Sequence, residues 1–368
     1  MNKILLSQVI IAVLIIGGLF LFNKLKSDSF LSDNVKISEL VSDENKLLSF
    51  LKQNSVKYAM EKLIAESGSG SAFDCHQAAH TIGRVGYKAE GSKIFQSCDY
   101  SCHSGCYHGA MESFLQDKGT SDLASEIKSI CDNFDISFGT FQCLHGIGHG
   151  LLAYFDYDLP AAIKECKKLK DNFSVNSCFG GLFMENILTG QGFGVKEKSD
   201  HNTKWVNKTD SHYPCNAIDQ NFDVQFQCYQ MQTSWMLTIL NYDFDEVAKE
   251  CLRAPKELIS VCFKSYGRDA SGNSLRDPVK IKELCDKILR GDYRNQCAIG
   301  AVNVIIDFWG PKLKSQATDL CRVLNEPEKG NCYATLIERL NGLFNTKKES
   351  NKICQYFETK YKDICLVI

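Results

Sequence analysis

Six of the eight histidines in this 368-residue chain fall between residues 76 and 149, each within six residues of a cysteine. "DCHQAAH" supplies His76 and His80, "CHSGCYHGAME" supplies His103, His108 and Glu112, and "CLHGIGHG" supplies His145 and His149. Residues four apart lie on one face of a helix, close enough to share an ion. His108 and Glu112 stand two and six residues past Cys106, and His145 and His149 stand two and six past Cys143. If each cysteine opens an equivalent helix, stacking those helices brings the four side chains together. "CHQAAH" is offset by one residue and reads as an atypical first unit that could face the same site. Imidazole and carboxylate donors at this spacing suit zinc, copper, nickel or iron. The expected metal ligands are His76, His80, His103, His108, Glu112, His145 and His149. Glu112 and Glu185 are the candidate acid and base for metal-assisted hydrolysis or redox chemistry. Neither H-E-x-x-H nor C-x-x-C-H occurs, so the zincin arrangement is absent and covalent c-type haem is not expected. Non-covalent haem between His108 and His145 is a further reading. So is metal-free acid–base work by histidine and glutamate, and so is a structural role hydrogen-bonding loop carbonyls.

The elements that must hold these residues are counted out by the cysteines. From residue 131 onward they come in pairs: Cys131 and Cys143, Cys166 and Cys178, Cys215 and Cys228, Cys251 and Cys262, Cys285 and Cys297, Cys321 and Cys332, Cys354 and Cys365. The second members recur at a period near 35 residues, the signature of a helical-hairpin array. One interval is longer because residues 189–214 are inserted. "LPAAIKECKKL" and "DEVAKECLRA" read as a first helix with its cysteine near the end; "SCFGGLFMENIL" and "CAIGAVNVIIDFW" read as a second helix that begins at its cysteine. A disulfide stapling the two across a short polar loop is worth roughly 3 kcal/mol on the chain-entropy model. Of the four remaining cysteines, repeat logic pairs Cys98 with Cys106 and leaves Cys75 for Cys102; four cysteines allow three connectivities, and thiolate ligation by this group is the smaller alternative. This pattern, from Cys106 to the C-terminal end, resembles secreted cysteine-rich Sel1-like and TPR-like repeat proteins in architecture. The resemblance implies a disulfide-stapled α-solenoid and no particular function.

Aligned on their cysteines, the second helices carry two informative columns. Three residues on stand Gly109, Gly146, Gly181, Met231, Ser265, Gly300 and Thr335, nearly all small, which predicts close helix packing. Gly148 and Gly150 fall outside that column and flank His149, which suggests close approach of a bound group. Six residues on stand Glu112, His149, Met184, Ser234, Arg268, Asn303 and Glu338, mostly polar. Equivalent positions line one face of a solenoid, so a concave binding groove is expected, with Glu185, Trp235 and Asp269 one position further along. The groove residues are Ser234, Trp235, Arg268, Asp269 and Asn303. The insertion holds His201, Trp205 and His212 and could cover the groove as a lid. Asn172 and Asn207 fit the N-glycosylation pattern.

Residues 4–22 carry no charge and span roughly 28 Å as a helix, about one hydrocarbon core. No small-x-small cleavage site follows, which favours an uncleaved anchor over a signal peptide. Eighteen cysteines would be a hazard in a reducing cytosol, so the rest of the chain is placed outside the cytoplasm. A net charge of −2 gives no footprint for nucleic acid. The expectation is an all-α solenoid of about eight disulfide-linked hairpins: an anchor over 1–23, a polar stalk over 24–45, histidine-rich hairpins over 46–150 and stapled repeats over 151–368. Its expected function is metal-dependent hydrolase or redox chemistry at the histidines. The alternative is a non-catalytic scaffold that grips a peptide, glycan or protein along its concave face.

Overall fold

The computed structural model describes residues 35–67, 75–99, 101–131, 137–192, 203–309, 314–343 and 353–367. Helices in chain order are α1 (Ile37–Leu40), α2 (Glu44–Asn54), α3 (Val56–Ser67), α4 (Cys75–Glu90), α5 (Ile94–Ser97), α6 (Gly105–Lys118), α7 (Leu123–Cys131), α8 (Ser137–Tyr154), α9 (Leu159–Cys166), α10 (Asn172–Gly190), α11 (Phe222–Ile239), α12 (Phe244–Cys251), α13 (Ile259–Asn273), α14 (Pro278–Asp286), α15 (Gly291–Trp309), α16 (Lys314–Val323), α17 (Glu328–Leu343) and α18 (Thr359–Val367). There is no strand among the described residues. Longer helices α4, α6, α8, α10, α11, α13, α15 and α17 lie side by side in sequence order, and the shorter α7, α9, α12, α14 and α16 pack beside them. The row bends back on itself: α17 meets α8, and α15 meets the 3-10 turn Ser101–Ser104.

Local chemistry sets the hairpin ends. After α8, α11 and α13 the chain makes the same corner, at Asp156-Tyr157-Asp158, Asn241-Tyr242-Asp243 and Leu275-Arg276-Asp277. The first two residues of each are left-handed, with φ from 50° to 66°. The second residue's amide then donates back five residues, to the carbonyls of Leu152, Leu237 and Ser271. The closing Asp is the N-cap of the next helix, its side chain accepting from Ala161, Glu246 and Lys280 amides respectively. All eighteen cysteines are paired, including Cys75 with Cys102 and Cys98 with Cys106, and each later pair joins a short helix or turn to the helix that follows. Nine disulfides imply an oxidising, extracytoplasmic environment. Thiolate ligation of a metal is ruled out by the same pairing.

Two expectations are altered, and a third lies outside the described residues. The segment before Cys215 is a run of turns rather than a helix. The stalk does not reach residue 45: Ile37 is fully buried, and the amides of Ile37 and Ser38 donate to Glu66 on α3. The expected anchor, residues 1–23, lies outside the described residues, among which no helix is long and apolar enough to cross a membrane.

Glycines decide how closely the long helices approach. A Cβ on Gly109 would fall 1.9 Å from the His80 carbonyl oxygen, and one on Gly83 would fall 2.2 Å from that of Cys106. The same reciprocal contact joins Gly148 and Gly181 across α8 and α10, at 2.0 Å from the Cys178 oxygen and 1.9 Å from the His145 oxygen. Gly150 faces the other neighbour, where its Cβ would meet Leu115 Cδ1 at 2.7 Å. Gly148 and Gly150 therefore admit a helix on each side of α8, not a ligand.

Candidate metal centre

The close crossings of α4 with α6 and of α8 with α10 press the carbonyls of His80 and His145 themselves against glycine. Five histidines consequently meet in the interior: His76, His80, His108, His145 and His149 are between 0% and 8% exposed. Their rings form one connected cluster, with centroids of His76 and His80 4.6 Å apart, His80 and His108 5.2 Å, His108 and His149 4.6 Å, and His145 and His149 5.1 Å.

Hydrogen bonding assigns which nitrogen of each ring is available. His76 Nδ1 lies 2.8 Å from the Cys102 carbonyl oxygen, which can only accept. His80 Nδ1 lies 3.0 Å from Glu112 Oε1, and His149 Nδ1 lies 2.9 Å from Glu185 Oε2. Each of these three Nδ1 atoms thus carries a proton, and in a neutral ring Nε2 is then a lone pair. His145 Nδ1 turns toward α10, where Gly180 makes room for it, and it has no hydrogen-bond partner there. The Nε2 atoms of His108, His145 and His149 are buried without a hydrogen-bond partner.

Two of the lone pairs face each other directly. His76 Nε2 and His80 Nε2 are 3.2 Å apart, and His108 Nδ1 is 3.3 Å from His80 Nε2. Ligands on a tetrahedral zinc with bonds of about 2.0–2.1 Å are separated by about 3.3 Å. Two buried triads have the spacing to hold an ion: His76, His80 and His108, and His108, His145 and His149. Burial, then the neighbouring imidazoles, hold His76, His108 and His145 well below the usual histidine range. Burial brings His149 down to about 3. His76, His108, His145 and His149 are therefore neutral at physiological pH, the form in which imidazole ligates a cation.

Both carboxylates stand behind the histidines. Glu112 accepts from His80, and its other oxygen accepts from Arg84 Nη1 at 3.4 Å. Glu185 accepts from His149, from the Tyr157 hydroxyl at 3.2 Å and from Thr189 Oγ1 at 3.2 Å. Burial raises the Glu185 carboxyl above its usual range. Glu112 is thus outside the triads for which it was expected, because its oxygens are committed to the far edge of His80 and to Arg84. Arg84, Tyr157, Thr189 and the Cys102 carbonyl were not singled out in the sequence; Arg84 sits one helical turn beyond His80, and Tyr157 occupies the recurring left-handed corner. His103 is left-handed at φ 53° with its ring centroid 5.5 Å from His76, beside the triads rather than in them. His108 and His145 centroids are 5.4 Å apart among helices already in contact, so no slot for a haem macrocycle opens between them.

Beside the cluster, two cavities of about 270 Å³ each share His103, Met184, Met231, Arg268 and Val304; one reaches His76 and the other reaches His145. The expected groove residues divide here. Ser234 and Asp269 line the cavity at His76, Asn303 lines the one at His145, and Arg268 lines both. Asp269 accepts from Thr233, Ser234 and Arg268 and ties three of them into one network. Trp235 is only 2% exposed and its indole N–H donates to the Asn207 carbonyl, so the insertion covers it. The Trp235 side chain is a structural anchor, not an open groove residue. Within the insertion, His201 lies outside the described residues, Trp205 stacks on Tyr213, and His212 contacts the Tyr229 hydroxyl and Glu250.

No protein-family profile, no curated protein and no solved structure matches this chain. The site is therefore argued from its own geometry.

Proposed function

We propose that this is an extracytoplasmic metalloprotein, a disulfide-stapled helical solenoid tethered by its N-terminal segment, whose buried histidines hold a transition metal for redox chemistry on a small molecule. The observation that carries the reading is the convergence of His76 Nε2, His80 Nε2 and His108 Nδ1, 3.2 and 3.3 Å apart in a buried triad with the spacing to hold an ion.

An all-nitrogen donor set suits copper, zinc or iron, and the disulfides remove the thiolates that would compete. When bound, a redox-active ion would supply one-electron chemistry. The chain's residues do the rest. Glu112, Glu185 and the Cys102 carbonyl fix ring orientation and tautomer from the far edge of each imidazole, the usual arrangement behind metal-binding histidines. Neither carboxylate is left with an oxygen uncommitted to a neighbour, which favours redox work over hydrolysis needing a general base. The adjoining cavities, both lined by Arg268, Met184 and Met231, are the entry for a substrate.

Elemental analysis of the non-reduced protein, purified without a histidine tag or chelator, tests this. Near-stoichiometric metal that vanishes in the His76→Ala/His80→Ala variant is the expected result. A protein that stays metal-free after incubation with copper, zinc and iron refutes it.

A further inference from the structure

We propose that His108 is a bridging ligand that joins two metal ions into one dinuclear centre, an inference that rests on the metal-binding reading above. His76, His80 and His149 each spend Nδ1 on an oxygen of the protein and can offer only Nε2 to an ion. His108 is different: neither of its nitrogens is engaged by a carboxylate or a carbonyl.

Its two edges face opposite ways. Nδ1 looks toward α4, 3.3 Å from His80 Nε2. The Cδ2 edge, which carries Nε2, looks toward α8, where a Cβ on Gly146 would lie 3.2 Å from Cδ2. Nε2 itself is buried without a partner. His108 is also the one residue common to both triads, His76–His80–His108 and His108–His145–His149. A ring that belongs to both triads, with Nδ1 toward His80 and a buried, unpartnered Nε2 on its other edge, has the placement of a bridge. The small residue three past Cys143 is what lets α8 approach this edge.

Bridging has a chemical cost that balances simply. A neutral imidazole carries one N–H proton. As the second nitrogen–metal bond forms, that proton leaves to solvent and the ring becomes an imidazolate shared by both cations, as a thiol is deprotonated outright on coordination. The fully enclosed ring, at 0% exposed, is shielded from the water that would otherwise break the second bond.

The experiment loads the full-length protein with Cu(II) alone and measures copper per chain together with the integrated EPR signal. The expected result is two coppers per chain whose spin signal is lost, because an imidazolate couples the two unpaired electrons. The His145→Ala variant, which spares His108 and the first triad, should hold one copper that gives its full signal. Two coppers in the wild type that both give full signal would overturn the bridge and leave two independent sites. One copper with full signal in the wild type would also overturn it and leave the single metal centre standing. No copper in either protein would overturn the bridge, and the absence of zinc and iron after the same loading would overturn the metal reading with it.

Discussion

Acidifying the chelator-treated protein should destabilise it steeply between about pH 7.5 and 5.5. His76, His108, His145 and His149 are neutral when folded, with pKa values pushed down from 6.5, in His149 to about 3. In the unfolded chain the same groups titrate near the usual value, so below it the unfolded state binds more protons and acid favours unfolding. Stability is therefore fully present above the unfolded pKa. It is lost as pH falls through 6.5, and His149 goes on contributing to the loss until about 3. At pH 5.5 each such histidine costs on the order of 1 kcal/mol, several kcal/mol for the four and offset in part by the raised Glu185 carboxyl, out of a typical total of about 5–15. Guanidinium titrations of the non-reduced, chelated protein at the two pH values measure this. Unfolding at pH 5.5 should also take up about three to four protons, read from paired buffers of different ionisation enthalpy. A stability change below about 1.5 kcal/mol with uptake of less than about one proton would show that the cluster is charged or hydrated, and would refute the lone-pair argument.

Three other outcomes follow from the geometry. Glu185→Gln keeps the shape but removes the charged acceptor from His149 Nδ1, so metal affinity should fall by about 10–100-fold in competition titrations with little change in far-UV circular dichroism. Gly109→Val should be severely destabilising, by more than about 3 kcal/mol in thermal or denaturant melts, because its side chain would collide with the His80 carbonyl; a neutral outcome would mean α4 and α6 are not in register as described. Trp235→Ala should cost about 3–5 kcal/mol in stability, free the insertion to limited proteolysis and leave bound metal unchanged; loss of metal without loss of stability would contradict its structural role.

Local spacing made much of this protein legible from the sequence. The cysteine period depends only on neighbours along the chain, so it predicts hairpins, and the seven later disulfides join the residues that the spacing pairs. The two- and six-residue offsets past Cys106 and Cys143 likewise identify histidines that meet in space, because equivalent positions in adjacent helices stack. The offset CHQAAH segment also reaches the cluster, as His76 and His80.

Tertiary structure alone decided what those residues do. Whether Glu112 is a ligand or a buttress depends on which edge of His80 it reaches, 32 positions away, and no helical spacing encodes that. His149 and Glu185 are 36 positions apart, and their bond selects the nitrogen left for an ion. Gly148 and Gly150 looked like room for a ligand because a sequence does not say what fills the space beside a glycine; here neighbouring helices fill it. Trp235 looked like a recognition residue until the fold laid Asn207 across it. Sequence period reflects short-range geometry repeated along the chain, whereas ring orientation, burial and tautomer are set by contacts between helices that only packing brings together.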